Sequence, residues 1–481
     1  MYETVIGLEV HTQLLTASKL FCGCAALTGD EPNTRTCPVC LGLPGVLPAL
    51  NTRAVDQAVL AALALGCRIN PVSVFARKNY FYPDLPKGYQ ITQYDRPLAV
   101  DGALSWRRHG EAYRVGIVRV HLEEDAGKSL HEGFPDSDCM TYVDYNRSGV
   151  PLAEIVTAPD LRSADAAAEC FRQLRAVLVE SGVSDGNLEA GNLRCDANVS
   201  VRPAGSDRLG ERTEIKNLNS FRFLQRALDY EVHRQCALLD SGARVESCTM
   251  LWDDRRGVTV PMRGKEDARD YRYFPEPDLP PLRLDAGRLA AIAGRVPELP
   301  EARIGRLRAR YGLSDEDAVA IGASAPLSRY FEEVAAEARP SAVAQWVRGE
   351  LTRRLHESGH APDTIPVAAS HLARLLALID DGTVSVTAAK QVFARMWGSG
   401  DAPDAVVADL GLVRESDPAV LQGWIDAVIA EQPAVVDQHR AGRRGALGFL
   451  VGQVIKKSGG RANPGLVDQG LRHRLDGEGG R

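Results

Sequence analysis

Thr4-Val-Ile-Gly-Leu-Glu-Val-His11 reads as a β-strand that carries ionisable groups where a strand would stay apolar, and two further stretches share the oddity: Val115-Gly-Ile-Val-Arg-Val-His-Leu-Glu-Glu124 and Glu214-Ile-Lys216. Side chains two apart on a strand share a face. Glu9 and His11 therefore project together, as do Glu214 and Lys216, while Glu124 continues a core-facing row of Val118, Val120 and Leu122. A buried carboxylate costs several kcal/mol unless a cation or hydrogen-bond donors meet it. A fold that gathered Glu9, His11, Glu124 and Glu214 would create an oxygen-rich site for a divalent metal. Ordinary surface salt bridging is the competing reading.

Working outward, residues 1 to about 290 mix strand-like runs with helical ones at Arg53–Leu65, Ser163–Ser181 and Phe221–Leu239. Gly66, Gly182 and Gly242 follow these helices closely, as left-handed stops do. Tyr273-Phe-Pro-Glu-Pro-Asp-Leu-Pro-Pro281 excludes helix and central strand and closes the first domain. Beyond it, Ala, Leu, Arg and Glu at helical spacing predict short helices, with Gly398-Ser-Gly-Asp-Ala-Pro403 as a linker. The expected class is α+β: a mixed-sheet domain over residues 1–292, a helical domain over 293–400 and a small all-helical tail over 401–481. A length of 481 residues fits two to four domains. No apolar run approaches the roughly 20 residues of a membrane span, and the amino-terminal segment has no signal core, so a cytoplasmic protein without membrane contact is expected.

Net charge is −6, which gives no global basic field for nucleic acid. Residues 434–481, however, carry nine Lys or Arg against four Asp or Glu. Arg443, Arg444, Lys456 and Lys457 flank the small-residue helix Gly445-Ala-Leu-Gly-Phe-Leu-Val-Gly452 and form a candidate backbone-tracking patch, with a solvated face as the alternative. Four of ten cysteines lie together as Cys22-Gly-Cys24 and Cys37-Pro-Val-Cys40. Four thiolates from two such turns would close a tetrahedral, structural Zn²⁺ site; free buried thiols are the alternative.

Arg77-Lys-Asn-Tyr-Phe-Tyr-Pro-Asp-Leu-Pro-Lys-Gly-Tyr-Gln-Ile-Thr-Gln93 supplies Lys78 and Lys87 as point charges suited to phosphate, beside stacking aromatics. Asp125-Ala-Gly-Lys-Ser129 is not a P-loop, because Leu122 stands where that pattern needs Gly. Arg194, Asp196, Asn198 and Ser200 share one strand face, and Asn146 and Arg147 sit in a turn. Arg147, Asp196 and Asn198 suit recognition of an amino acid's charged groups or of ribose; turn stabilisation is the commoner use of such residues. No glutaminase nucleophile elbow and no dinucleotide fingerprint occurs, so any amide nitrogen must be released by another polypeptide.

Together these stretches resemble GatB, the B component of the tRNA-dependent amidotransferases that make Gln-tRNA or Asn-tRNA. The resemblance runs end to end through Glu3-Thr-Val-Ile-Gly-Leu-Glu-Val-His11, Pro44-Gly-Val-Leu-Pro48, Arg77–Pro83, Leu122-Glu-Glu-Asp-Ala-Gly-Lys-Ser129, Leu193-Arg-Cys-Asp-Ala-Asn-Val-Ser200, Glu214-Ile-Lys-Asn-Leu-Asn-Ser220, Asp270-Tyr-Arg-Tyr-Phe-Pro-Glu-Pro277 and Gly448-Phe-Leu-Val-Gly452. It implies a cradle-shaped first domain and a tail that grips tRNA, in a heterotrimer with the A and C subunits of the amidotransferase. It implies a carbon–nitrogen ligase: the glutaminase partner, the A component, releases ammonia from glutamine, and the cradle uses ATP and Mg²⁺ to phosphorylate the side-chain carboxylate of misacylated Glu-tRNA(Gln) or Asp-tRNA(Asn). Ammonia then displaces phosphate. Glu9, His11, Glu124 and Glu214 match the family's metal positions, with the choice between Glu9 and Glu123 for completing the metal shell left open, and Lys78 and Lys87 are candidates for phosphate contacts or the mouth of an ammonia route. Zn²⁺ at the cysteines would support the fold. A metal-dependent nuclease or phosphoesterase, and a non-catalytic tRNA-binding scaffold, are the rival readings.

Overall fold

The structure, a computed structural model, describes residues 1–27, 31–108, 110–262, 271–413, 415, 417–443 and 445–476. It divides into two compact units, Met1–Glu301 and Ala302–Arg481. The class is α+β.

The first unit is built on a nine-stranded mixed sheet. Its strands are β1 (Tyr2–Gln13), β2 (Arg68–Ile69), β3 (Ala99–Arg108), β4 (Glu111–Glu124), β5 (Pro151–Thr157), β6 (Leu193–Pro203), β7 (Thr213–Leu218), β8 (Cys248–Asp253) and β9 (Val258–Pro261). They lie in the order β9-β8-β7-β6-β1-β5-β4-β3-β2, antiparallel except for the β7–β8 pair. Three helices, α1 (Thr52–Ala64), α2 (Ala164–Glu180) and α3 (Phe221–Asp240), start at the side-chain caps Asn51, Ser163 and Ser220. Gly66, Gly182 and Gly242 follow them with φ of 66°, 66° and 80°, the left-handed conformation that ends a helix at no steric cost to glycine.

Alternation along the central strands gives the sheet two unlike faces. Val10, Ile155, Val120 and Cys195 are mutual cross-strand partners, all nearly inaccessible, and belong to the same core as residues of α1, α2 and α3. Most of their neighbours on the same strands are ionisable (Glu9, His11, Arg119, His121, Glu154, Arg194 and Asp196), Val156 being an exception. The expected row of Val118, Val120, Leu122 and Glu124 requires one correction. The β4–β5 register shifts between Val156, opposite Arg119, and Thr157, opposite Ile117, so Val118 is an extra residue and is exposed. Core positions are Val115 and Ile117 before this bulge and Val120, Leu122 and Glu124 after it. The neighbouring β3 changes phase at the matching place. Asp101, at φ 59°, falls between Val100, opposite Arg119, and Gly102, opposite Ile117.

The second unit holds two helical cores. One gathers Leu307, Phe331, Leu351, Leu372 and Phe393 together with Val406 and Val407; the other gathers Ile425, Leu450, Val467 and Leu471. The turn at 398–403 therefore does not separate the two, as the sequence led one to expect. Helix Val386–Ser399 stops at Gly400, and Pro403, pre-set for a first helical turn, opens Pro403–Asp409, which returns Val406 and Val407 to the same core.

Candidate active site

On the polar face of the sheet, one row of cross-strand partners runs His121 (β4), Glu154 (β5), His11 (β1), Arg194 (β6). Directly paired side chains on one face lie close enough to interact. His121 Nε2 is 2.9 Å from Glu154 Oε2, and His11 Nε2 is 3.4 Å from the same oxygen. Glu123, one row on, places Oε1 3.4 Å from His11 Nε2 and Oε2 3.7 Å from His121 Nε2. Burial by itself would lower both imidazole pKa values, but the Glu154 and Glu123 carboxylates outweigh it: His11 is raised and His121 is pushed up to about 9. Burial would likewise raise Glu154, yet the two imidazoles hold it well below the ordinary range. Donor atoms of His11, Glu123 and Glu154 all lie within 4.8 Å of one another. An imidazole and two carboxylates at that spacing are a fitting donor set for a hard divalent cation.

The expected quartet of Glu9, His11, Glu124 and Glu214 is thus assembled differently. His11 is kept, Glu123 stands in the group where the choice lay between it and Glu9, Glu154 joins them, and Glu9, Glu124 and Glu214 stand outside. Glu9, on the same face, accepts a hydrogen bond from Asn198 Nδ2 at 2.9 Å. Burial and the nearby Glu154 raise its pKa. Glu214 pairs with Lys216 Nζ at 2.8 Å and accepts from Thr249 Oγ1 at 2.7 Å. Glu124 is on the opposite side of its strand, because strand parity separates it from Glu123. Its Oε1 accepts from Ile91 N at 2.9 Å and is paired with Lys87, both side chains being almost inaccessible. Glu154 and His121 were not singled out in the sequence. The available signal was the same in kind: Leu152-Ala-Glu-Ile-Val156 carries one charge in an apolar strand, and His121 lies inside a run already recognised as anomalous.

A cleft of about 1060 Å³ opens over the group, lined also by Lys78, Tyr80, Arg194, Asp196 and Lys216. Lys78 Nζ lies 4.9 Å from the centre of the Tyr271 ring and 5.7 Å from that of Tyr80. Lys87 lines a different cavity, of about 600 Å³, together with Glu124, Tyr89, Cys22 and Cys40. The two lysines thus serve separate spaces. Asp196 accepts from Lys216 at 2.8 Å. Arg147 donates to the Ala126 and Gly127 carbonyls at 3.0 and 2.6 Å and lies 3.5 Å from Asp125, so its contacts hold the turn after β4. Asp125 also receives Arg194 at 3.0 Å and Gln13 at 3.2 Å; burial would raise its pKa, but the two guanidinium groups hold it down.

The four cysteine sulfurs also lie within 4.8 Å of one another. Cys37 Sγ and Cys40 Sγ are 3.9 Å apart, and Cys37 N donates to Cys40 Sγ at 3.2 Å. The Cys22 thiol, donating to Cys40, helps bring the latter's pKa down to about 4 against burial, while Cys24 is pushed up to about 11 chiefly by burial. In the tail, Arg443 donates to Gln438 at 2.9 Å, Lys456 is exposed on helix Ala446–Lys457, and Lys457 pairs with Glu431. Arg444 lies outside the described residues.

Comparison with known proteins places the chain. A family model described as the GatB/GatE catalytic domain matches residues 4–290, and one described as the GatB domain matches residues 329–475. Over 476 residues the chain is 53% identical to the aspartyl/glutamyl-tRNA(Asn/Gln) amidotransferase B subunit of Moorella thermoacetica, covering 98% of this chain and 100% of the relative. The corresponding B subunits of Carboxydothermus hydrogenoformans and Geobacter sulfurreducens are each 49% identical, over 98% and 99% of this chain and 99% and 100% of their own lengths. No helix among the described residues is long and apolar enough to cross a membrane. With a catalytic-domain match spanning more than half the chain and relatives aligned along nearly all of it, the chain belongs to the GatB/GatE family.

Proposed function

We propose that this chain is the transamidating component of a tRNA-dependent amidotransferase. It activates the side-chain carboxylate of misacylated Glu-tRNA(Gln) or Asp-tRNA(Asn) with ATP and joins it to ammonia released by a partner glutaminase. The carboxylate oxygen attacks the γ-phosphorus of ATP and ADP leaves. Ammonia then attacks the acyl carbon and phosphate departs with that oxygen. The observation that carries this reading is His11 held between Glu123 and Glu154 on the floor of a cleft that also presents Lys78.

The substrate carboxylate and the acyl phosphate are both anions, so cationic surroundings must offset charge at each step. His11, Glu123 and Glu154 would hold Mg²⁺, which would supply Lewis-acid neutralisation of the negative charge that develops on the transferring phosphoryl group. Lys78 faces the cleft without a carboxylate pair among the described residues, which suits it to a phosphate oxygen. Asp196 and Lys216 line the cleft, Lys216 being paired with Glu214, and are suited to the amino group and ribose of the charged adenosine. Lys87 and Glu124 give the second cavity a polar wall, consistent with a path for ammonia. In the same reading, Zn²⁺ is held by Cys22, Cys24, Cys37 and Cys40. The 3.9 Å Cys37–Cys40 separation is close to the roughly 3.8 Å edge of a tetrahedron with Zn–S bonds of about 2.3 Å. The Lys and Arg excess of the tail would contact the tRNA backbone.

The test is the assembled complex with its A and C partners, each misacylated tRNA, ATP, Mg²⁺ and glutamine. His11→Ala is expected to remove ATP turnover and amidation together while tRNA binding and glutamine hydrolysis persist. Undiminished tRNA-dependent ATP turnover in that variant would sink the assignment.

A further inference from the structure

Lys19 is fully inaccessible, and nothing in the proposed reaction uses it. Its Nζ donates to the Arg35 carbonyl at 2.8 Å and the Tyr145 carbonyl at 3.3 Å, and reaches Cys40 Sγ at 3.6 Å. Those three contacts match the three N–H donors of an ammonium. Two are neutral dipoles, and no carboxylate pairs with Lys19 among the described residues. A buried cation without an anion is strongly disfavoured, so the sulfur is the partner that permits the charge.

The surrounding backbone fixes this contact. Leu20 N donates to the Gly149 carbonyl at 2.8 Å. Gly149, at φ 86°, lies so near that a side-chain carbon built on it would be 3.5 Å from Lys19 Cδ and 3.6 Å from Cys40 Cβ. The lysine stem is therefore clamped between the turn that leads into β5 and the cysteine segment, with its charge aimed at one ligand sulfur.

We propose that Lys19 is the built-in countercharge of the four-cysteine metal centre, a positioning residue that strengthens metal retention by offsetting part of its negative charge through Cys40. This rests on the assignment of Zn²⁺ to the four cysteines. A divalent ion with four thiolates bears a net charge of −2, and a desolvated centre of that charge is unfavourable without nearby positive charge. The ammonium beside Cys40 brings the local sum to −1 while leaving all four sulfurs free to ligate. Partners in this position ordinarily change metal affinity by roughly 10–100-fold.

The experiment measures zinc affinity of the full-length chain, in complex with its partner subunits, by competition with a chromophoric chelator, and records the cobalt(II) spectrum of the same preparations. Lys19→Met is expected to bind one metal with a tetrathiolate cobalt spectrum but roughly 10–100-fold more weakly, and Lys19→Arg, which keeps the charge, to recover most of the loss. Lys19→Gln keeps donors for the two carbonyls without the charge and answers the same question if Lys19→Met does not fold. Unchanged affinity in the neutral variant overturns the countercharge while leaving the zinc assignment standing. Wild-type protein that takes up no metal overturns both, and an equal loss in Lys19→Arg overturns the role of charge in favour of shape.

Discussion

Glu123 and Glu124 are consecutive in the chain and work on opposite sides of the sheet. Glu123 meets His11 at 3.4 Å under the cleft, while Glu124 is paired with Lys87 and accepts from Ile91 N at 2.9 Å in the second cavity. Replacing each by Gln should therefore give different failures. Glu123→Gln is expected to raise the Mg²⁺ concentration for half-maximal ATP turnover by roughly tenfold or more, with little loss of stability. Glu124→Gln leaves a buried ammonium unpaired and should cost about 3 kcal/mol of stability, read by denaturant unfolding, with the Mg²⁺ requirement nearly unchanged. Matching Mg²⁺ shifts in both variants would contradict this division.

Acid stability should carry the signature of Glu231. It is wholly buried on α3 and accepts from Arg234 at 2.9 and 2.6 Å, Gln235 at 3.0 Å and Thr259 at 2.9 Å. Burial would raise its pKa, but these donors hold it below the ordinary 4.5. The folded state binds the proton less readily than the unfolded chain, so the stabilisation is complete above about pH 4.5 and is lost as pH falls through the lowered value. Glu231→Gln should be less stable than wild type at pH 7 by about 1–3 kcal/mol, and the gap should narrow on acidification below pH 4.5. A gap that widens there would rule out this origin.

Replacing Cys37 and Cys40 together by Ser should remove one equivalent of zinc per chain, measured by plasma mass spectrometry. The melting temperature should fall by about 5 °C or more, since a structural metal contributes its binding energy to folding. Purified wild-type protein free of zinc would refute the expectation at once.

The third hydrophobic core begins at Leu421, apart from the core that ends at Val407. Truncation after about residue 410 should consequently raise KM for charged tRNA about tenfold or more and flatten its salt dependence, leaving KM for ATP nearly unchanged. Equal effects on both substrates would count against a tRNA-contacting tail.

Much of this was legible in the sequence because strand parity is a strong code. Glu9 with His11, and Glu214 with Lys216, do share a face, and the Asn51, Ser163 and Ser220 caps sit where helical periodicity begins. Two things escaped it. Cross-strand register, which sets Glu154 opposite both His11 and His121, is a tertiary property that a single strand does not encode. The turn at 398–403 looked like a linker because Gly and Pro are enriched both in linkers and at tight helix–helix turns, and only Val406 and Val407 decide between them.

The extra residue at Val118 and its counterpart Asp101 give the β3–β4 hairpin something like a reading frame. Upstream of them odd-numbered β4 residues point into the core; downstream the even-numbered ones do, and the two carboxylates fall on their respective sides as a result. A one-residue slip exchanges the faces of every position beyond it. A deletion scan should therefore find loss of Val118 alone far more damaging than any substitution there, and simultaneous loss of Asp101 and Val118 no repair, because β5 keeps its own count. Length, more than residue identity, is what this hairpin has to conserve.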